Sequence, residues 1–310
     1  MSAIHHITAI SGPAARNLDF YRGTLGLRFV KKTVNFDDPG TYHLYYGDEV
    51  GHPGTILTFF PWEHASPGRT GVGLTQQTAL RVPARSIAYW THRLIEKGVP
   101  DGTVGKRFGQ TVIEFTDPDG MRLALVGVEG AEAEQAWSSG EVPAEHAIRG
   151  FHGATLMLQS ADLTGAVLTN VLGFREVGRE SGHVRFQASD PVGGIIDIRE
   201  AKGFLPGHMG RGSVHHIAFR AKHDAEQAEM ARRLTASHDL HVTQQLDRQY
   251  FRSIYFREPG GIIFEIATDA PGFAVDEPVE SLGQQLKLPA FLEPRRSQIE
   301  AVLPQLERAA

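Results

Sequence analysis

The phrase Ile4-His5-His6-Ile7 opens the chain, and a near copy, Val214-His215-His216-Ile217, opens its last quarter. A further histidine in apolar company, His152, lies between them, and a lone carboxylate, Glu265, sits in the run Ile263-Phe264-Glu265-Ile266. Imidazole and carboxylate together make a set for a divalent cation. Two His and one carboxylate with the remaining positions open suit Fe(II) and oxygen chemistry, and Mn(II) accepts the same donors. Cysteine is absent, which removes thiolate zinc sites, iron–sulfur clusters, catalytic thiols and disulfides. His216 and Glu265 stand 49 positions apart, so no local motif joins them and only the fold can.

The elements that must position these residues recur four times. In the last quarter Val214–Arg220 reads as a strand, Asp224–Ser237 as a helix, and Arg252–Phe256 and Gly261–Ile266 as strands joined at Glu258-Pro259-Gly260. The second quarter repeats this with Thr78–Arg81, a helix over Ile87–Lys97, and strands Thr111–Phe115 and Met121–Val126 around Asp117-Pro118-Asp119-Gly120. The third runs from His152–Leu156 through Leu172-Gly173-Phe174 to Gly194–Ile198, and the first from His6 through Leu25-Gly26-Leu27 to Thr55–Phe59. Internal repetition of this kind decides the fold before any single motif does. The expected class is α+β, four βαβββ modules forming paired, partly open β-barrels. Expected domains are 1–130 and 150–270 with two modules each, linked by a Glu-, Ala-, Ser- and Gly-rich connection over 127–150. A tail over 271–310 adds a helix at Ser297–Glu307.

Aligning the four copies gives an opening column of His6, Gln77, His152 and His216, and a closing column of Thr58, Ala124, Ile198 and Glu265. Strand alternation puts His216 on a face with Val214 and Ala218, and Glu265 with Ile263 and Ala267. Glu265 is then a carboxylate on an apolar face, costly unless paired or bound to a metal. The plainer alternative is a buried Glu satisfied by His216 or by an arginine. A third ligand comes from either His6 or His152. His6 is favoured because it shares the double-His phrase, and a ligating imidazole is oriented by the groups hydrogen-bonded behind it.

The rest of the composition narrows the partners. With 310 residues the chain can bury two cores. Its net charge of −5 without a Lys/Arg block offers no surface for nucleic acid or anionic membrane. No apolar run approaches a membrane span, and Met-Ser-Ala-Ile-His-His is not a signal region, so a cytoplasmic location is expected.

The repeat resembles the vicinal oxygen chelate superfamily of glyoxalases, extradiol dioxygenases, fosfomycin-resistance enzymes and bleomycin-binding proteins. It is most similar to the hydroquinone-type ring-cleaving branch. That likeness rests on His5–Ile10, Phe20-Tyr21 to Leu27, Lys32–Pro39, Tyr42–Asp48, Pro53–Trp62, Val214–Ala218 and the tail Leu288–Pro294. The resemblance implies that His6, His216 and Glu265 are the ligands, and that His5, Thr8, His215, Arg248 and Tyr255 are supporting or substrate-facing catalytic residues. It also implies an Fe(II) cofactor, a small aromatic substrate with O2, and association into homo-oligomers. Thr8 shares His6's strand face, and Tyr255 is expected across the hairpin from Ile263, on Glu265's face. Two other readings stay open. A glyoxalase-like isomerase or lyase needs a fourth ligand at Thr58, where the neutral hydroxyl argues against it. A non-catalytic binding protein would hold no Fe(II).

Overall fold

A computed structural model of the chain describes residues 3–99, 102–138 and 140–306. Four modules follow one another. The first is β1 (Ile4–Ser11), α1 (Ala14–Leu18) running into a wider helical turn (Asp19–Thr24), β2 (Arg28–Asn35), β3 (Asp38–Gly47) and β4 (Ile56–Pro61). The second is β5 (Leu74–Pro83), α2 (Ile87–Glu96), β6 (Thr103–Arg107), β7 (Gln110–Thr116) and β8 (Arg122–Val128). The third is β9 (Phe151–Leu158), α3 (Asp162–Asn170), β10 (Arg175–Glu180), β11 (His183–Gln187) and β12 (Ile195–Glu200). The fourth is β13 (Val214–Ala221), α4 (Asp224–His238), β14 (Leu246–Asp247), β15 (Arg252–Arg257) and β16 (Ile263–Thr268). Each helix carries the chain across so that the opening and closing strands of a module lie parallel and adjacent, as β1 with β4 and β13 with β16.

The modules combine across the chain rather than along it. One eight-stranded sheet runs β14-β15-β16-β13-β1-β4-β3-β2 and joins modules one and four; the other runs β10-β11-β12-β9-β5-β8-β7-β6 and joins two and three. The expected division into 1–130 and 150–270 followed sequence order, whereas each curled half-barrel takes one module from either side of the connection. The physical reason is the seam. Opening strands meet antiparallel, β1 against β13 and β5 against β9, and pairing the outer copies leaves the inner two to pair with each other. Backbone hydrogen bonds then tie the half-barrels together, from Ile4 N–H to the Gly193 carbonyl (3.0 Å) and from Phe151 N–H to that of Gly54 (2.8 Å).

Strand alternation sorts the side chains. On β1, Ile7 and Ala9 join the main apolar core, which also takes Phe59 and Phe219 from the same sheet and Leu80, Phe151 and Ile196 from the other. His6 and Thr8 point to the opposite, concave face, equally buried. The tail caps the outer sheet at β2: Lys31, fully buried, pairs with Asp276 (2.6 Å) and Glu277 (2.5 Å). Leu288, Leu292 and Ile299 pack on Val34. The tail helix spans Arg296–Val302, shorter than expected, and Glu307 lies outside the described residues. Among them, no helix is long and apolar enough to cross a membrane.

Candidate metal centre

Three strands at the seam converge their polar side chains. His6 on β1, His216 on β13 and Glu265 on β16 bring one ligand atom each within 4.8 Å of the others, all three residues buried. The register produces this: Thr8 faces His216 across the seam, and Ala218 pairs with both His6 and Glu265. Oε2 of Glu265 lies 3.3 Å from Nε2 of His6 and 3.0 Å from Nε2 of His216, yet forms no hydrogen bond with either. Oε1 is taken by the Ser253 hydroxyl. Glu265 is fully buried. Burial alone would push its carboxyl up, but the two histidines outweigh this and hold it well below the usual carboxylate range.

Each ligand-type histidine is braced by its neighbour in sequence. His5 Nδ1 sits 3.0 Å from His6 Nδ1, and His215 Nδ1 sits 2.8 Å from His216 Nδ1. With His6 and His216 donating their Nδ1–H to His5 and His215, Nε2 of each ligand-type ring presents a lone pair beside the orphaned carboxylate oxygen. In that tautomer two lone pairs and the partnerless Oε2 of Glu265 form a buried arrangement that a divalent cation satisfies. The residues therefore fit a metal. Burial and the neighbouring His216 lower the His215 pKa to about 3. Burial and His6 likewise hold His5 well below its ordinary value, so both braces stay neutral.

Above the triad opens a cavity of about 440 Å³ walled by aromatic rings, among them Phe36, Phe60, Trp62 and Phe251. Tyr255 on β15 pairs directly with Glu265, not with Ile263, because the hairpin loop is two residues longer than its Glu-Pro-Gly signature suggested: Arg257 pairs with Ile263. It keeps the expected face. Burial first, then Glu265, push the Tyr255 hydroxyl well above its ordinary value in spite of Arg248. The Arg248 guanidinium stands 5.5 Å over the Tyr255 ring and 3.1 Å from Asp37. It thus lines the cavity rather than facing bulk water. Thr8 is fully buried and accepts a 2.8 Å hydrogen bond from Thr58. His152 belongs to the other sheet and bonds Gln110 at 3.0 Å.

The structure also re-registers the third module. Thr155 pairs with Asp197 as Ala218 pairs with Glu265, and Gly153 faces Ala79 as His216 faces Thr8. Gly153 and Asp197 therefore occupy the places of His216 and Glu265, and His152 matches His215. Aligning on histidine identity slipped the copy by one residue at one end and set Ile198 in the closing column. A single-residue slip moves every side chain to the other face. The signal was available: His6 to Gly26 and Gly153 to Gly173 both span 20 positions, whereas His152 to Gly173 spans 21. Reasoning from sequence also passed over His43 and Tyr45, both in the cavity wall. Their marker was a polar-apolar alternation, His43-Leu44-Tyr45, on a strand with one wet face.

Two antiparallel opening strands with a shared ligand face, in a module repeated four times, define a class of proteins, and sequence comparison agrees. The Glyoxalase/Bleomycin resistance protein/Dioxygenase superfamily model matches residues 3–125 and 154–266, and the chain belongs to that superfamily. Within it, the chain is 50% identical over 297 residues to MhqO of Bacillus subtilis, covering 96% of this chain and 94% of that one. MhqO carries a provisional ring-cleaving dioxygenase name. Identity is 33% over 299 residues to the chlorohydroquinone/hydroquinone 1,2-dioxygenase of Sphingobium indicum, covering 94% and 93%. A crystal structure of a provisionally named Bacillus subtilis dioxygenase superposes with a TM-score of 0.94 at 49% identity, covering 98% and 97%. Glyoxalase I of Zea mays, at 12% identity and a TM-score of 0.65 over 87% and 93%, shares the fold alone.

Proposed function

We propose that this protein is a ring-cleaving dioxygenase that opens a hydroquinone-type aromatic with O2, using a non-haem Fe(II) held by His6, His216 and Glu265. The observation that carries this reading is the orphaned Oε2 of a fully buried Glu265 beside two imidazole nitrogens, at the floor of an aromatic-walled cavity. Two His and one carboxylate leave metal positions open for substrate and O2, and Fe(II) there supplies the oxygen activation that side chains lack. Thr58, where a glyoxalase-like isomerase would need its fourth ligand, is neutral and already bonded to Thr8 and His43, which weighs against that chemistry.

The chain's own residues then have distinct tasks. His5 and His215 hold the ligand rings through their Nδ1 atoms. The aromatic walls sandwich the ring and exclude water, fixing its approach. Tyr255 holds a proton beside Glu265 and can exchange it with a substrate oxygen. Arg248 offers a fixed positive charge to oxygen that becomes anionic. Anaerobic Fe(II) reconstitution, metal analysis and oxygen-electrode assays with hydroquinone test the reading. Glu265→Ala is expected to bind no iron and take up no oxygen. Tyr255→Phe is expected to keep its iron and lose about 10²-fold or more in turnover. Full oxygen uptake by Glu265→Ala would falsify the ligand assignment.

A further inference from the structure

Two side chains of the cavity wall have no part in the triad or its braces. His43 and Tyr45 lie two residues apart on β3, on the face opposite the core residue Leu44. Tyr45 Oη stands 2.8 Å from His43 Nδ1, and His43 Nε2 stands 2.8 Å from Thr58 Oγ1. Thr58 in turn donates to Thr8 Oγ1 at 2.8 Å. A hydroxyl has one proton to give. Thr58 gives its proton to Thr8, so its oxygen accepts from His43, and His43 carries its proton on Nε2. Nδ1 is then an acceptor, and the proton it accepts is that of Tyr45. The direction of the chain is set at its buried end and read out at its cavity end.

The consequence falls on the Tyr45 oxygen. Its proton is committed to His43, His43 is its one hydrogen-bond partner among the described residues, and its ring is fixed against Phe273 (5.1 Å) and His43 (4.1 Å). What remains for the cavity is a lone pair. We infer that Tyr45, oriented by His43, selects the substrate by accepting a hydrogen bond from a ring hydroxyl other than the one at the metal. It is a specificity-determining residue, and His43 positions it. An ether oxygen at that place can only accept, and two acceptors facing each other in a desolvated site repel. Sites built to bond a hydroxyl reject analogues that lack the donor far more strongly than apolar pockets reject a change of size. The inference rests on the hydroquinone-type reading for the identity of the ring.

Hydroquinone and 4-methoxyphenol differ at that one group, and both can be titrated calorimetrically into anaerobic, Fe(II)-loaded, full-length protein. Wild type is expected to bind hydroquinone at least tenfold more tightly than 4-methoxyphenol. Tyr45→Phe is expected to bring the ratio below threefold by weakening hydroquinone alone, and its retained affinity for 4-methoxyphenol shows that it is folded. His43→Phe keeps the stacking on Phe60 (4.4 Å) but frees the Tyr45 proton to turn into the cavity. It is expected to admit 4-methoxyphenol within threefold of hydroquinone. A tenfold ratio that survives Tyr45→Phe overturns the assignment, as does wild type that binds both probes alike or neither. The dioxygenase reading fails separately: discrimination by calorimetry with no oxygen uptake in air removes the activity and leaves Tyr45 as a hydroxyl reader.

Discussion

The two half-barrels present the same four positions to their concave faces and fill them in opposite ways. In the outer sheet the closing carboxylate Glu265 meets two histidines and a tyrosine, under a cavity of about 440 Å³. In the inner sheet the equivalent carboxylate, Asp197, meets Arg185, which occupies the place of Tyr255. Arg185 bonds it in a bidentate fork at 2.8 and 2.7 Å. Gln77, at His6's position, bonds Glu114 (3.1 Å) and Arg107 (2.8 Å), and the remaining space is about 10 Å³, room for one water. Gly153, at His216's position, has no alternative: a Cβ there would meet the Ile195 carbonyl oxygen at 2.0 Å. Both sheets bury a carboxylate. One supplies the compensating cation as an arginine; the other supplies donors that call for one from solution.

Breaking the inner pair should have the largest effect on stability. Arg185→Met leaves Asp197 buried without its partner and is expected to destabilise the fold by about 3–5 kcal/mol, read by denaturant unfolding. Adding Asp197→Leu should recover most of that loss. The outer carboxylate should behave differently. Glu265→Gln in metal-free protein keeps an acceptor for Ser253 and gives up a charge held by two imidazoles rather than by a guanidinium fork, so its loss of stability should be clearly smaller than that of Arg185→Met. Equal losses from Arg185→Met and Glu265→Gln would erase the distinction between the two sheets.

The next largest effect sharpens the same contrast through metal linkage. A cation that binds only the folded state stabilises it by about 2.7 kcal/mol at a hundredfold excess over Kd. Fe(II) under nitrogen, or Mn(II) in air, should raise the melting temperature of wild type and of Arg185→Met by similar increments, and leave Glu265→Gln unmoved. A rise that depends on Arg185 or Asp197 would relocate the metal to the inner sheet.

How much of this was legible in the sequence follows from periodicity. The strand-helix-strand order of each module was readable because alternation and helical spacing are local, and His6, His216 and Glu265 stood out as polar residues on apolar strand faces. The pairing of modules one with four was not written locally. The shared double-His phrase of His5-His6 and His215-His216 favoured it over a site at His152, and the resemblance implied it outright. The inner site was hidden for another reason. Its equivalent positions hold Gly153 and Gln77, which carry no chemical signature, while His152 beside Gly153 drew the alignment off by one. A residue type that looks functional misled where a spacing of 20 against 21 would have corrected it.

His152 supplies the smallest test, one of pH. Burial, with Arg185, Arg81 and Arg107 adding to it, lowers its pKa to about 3, below the 6.5 of an unfolded chain. Between those values the unfolded state binds more protons than the folded one. Stability due to this group is therefore complete above pH 6.5 and lost progressively as pH falls toward 3, by up to about 1.4 kcal/mol per pH unit. His152→Gln can keep a donor for Gln110 and has no proton-binding nitrogen. Its stability should fall less steeply than wild type's between pH 6.5 and 4.5 and match it more closely above pH 7. Parallel curves for the two proteins across that window would mean that acid loosens the inner sheet elsewhere. The Arg185–Asp197 fork, both of whose partners are buried, is then the first place to look.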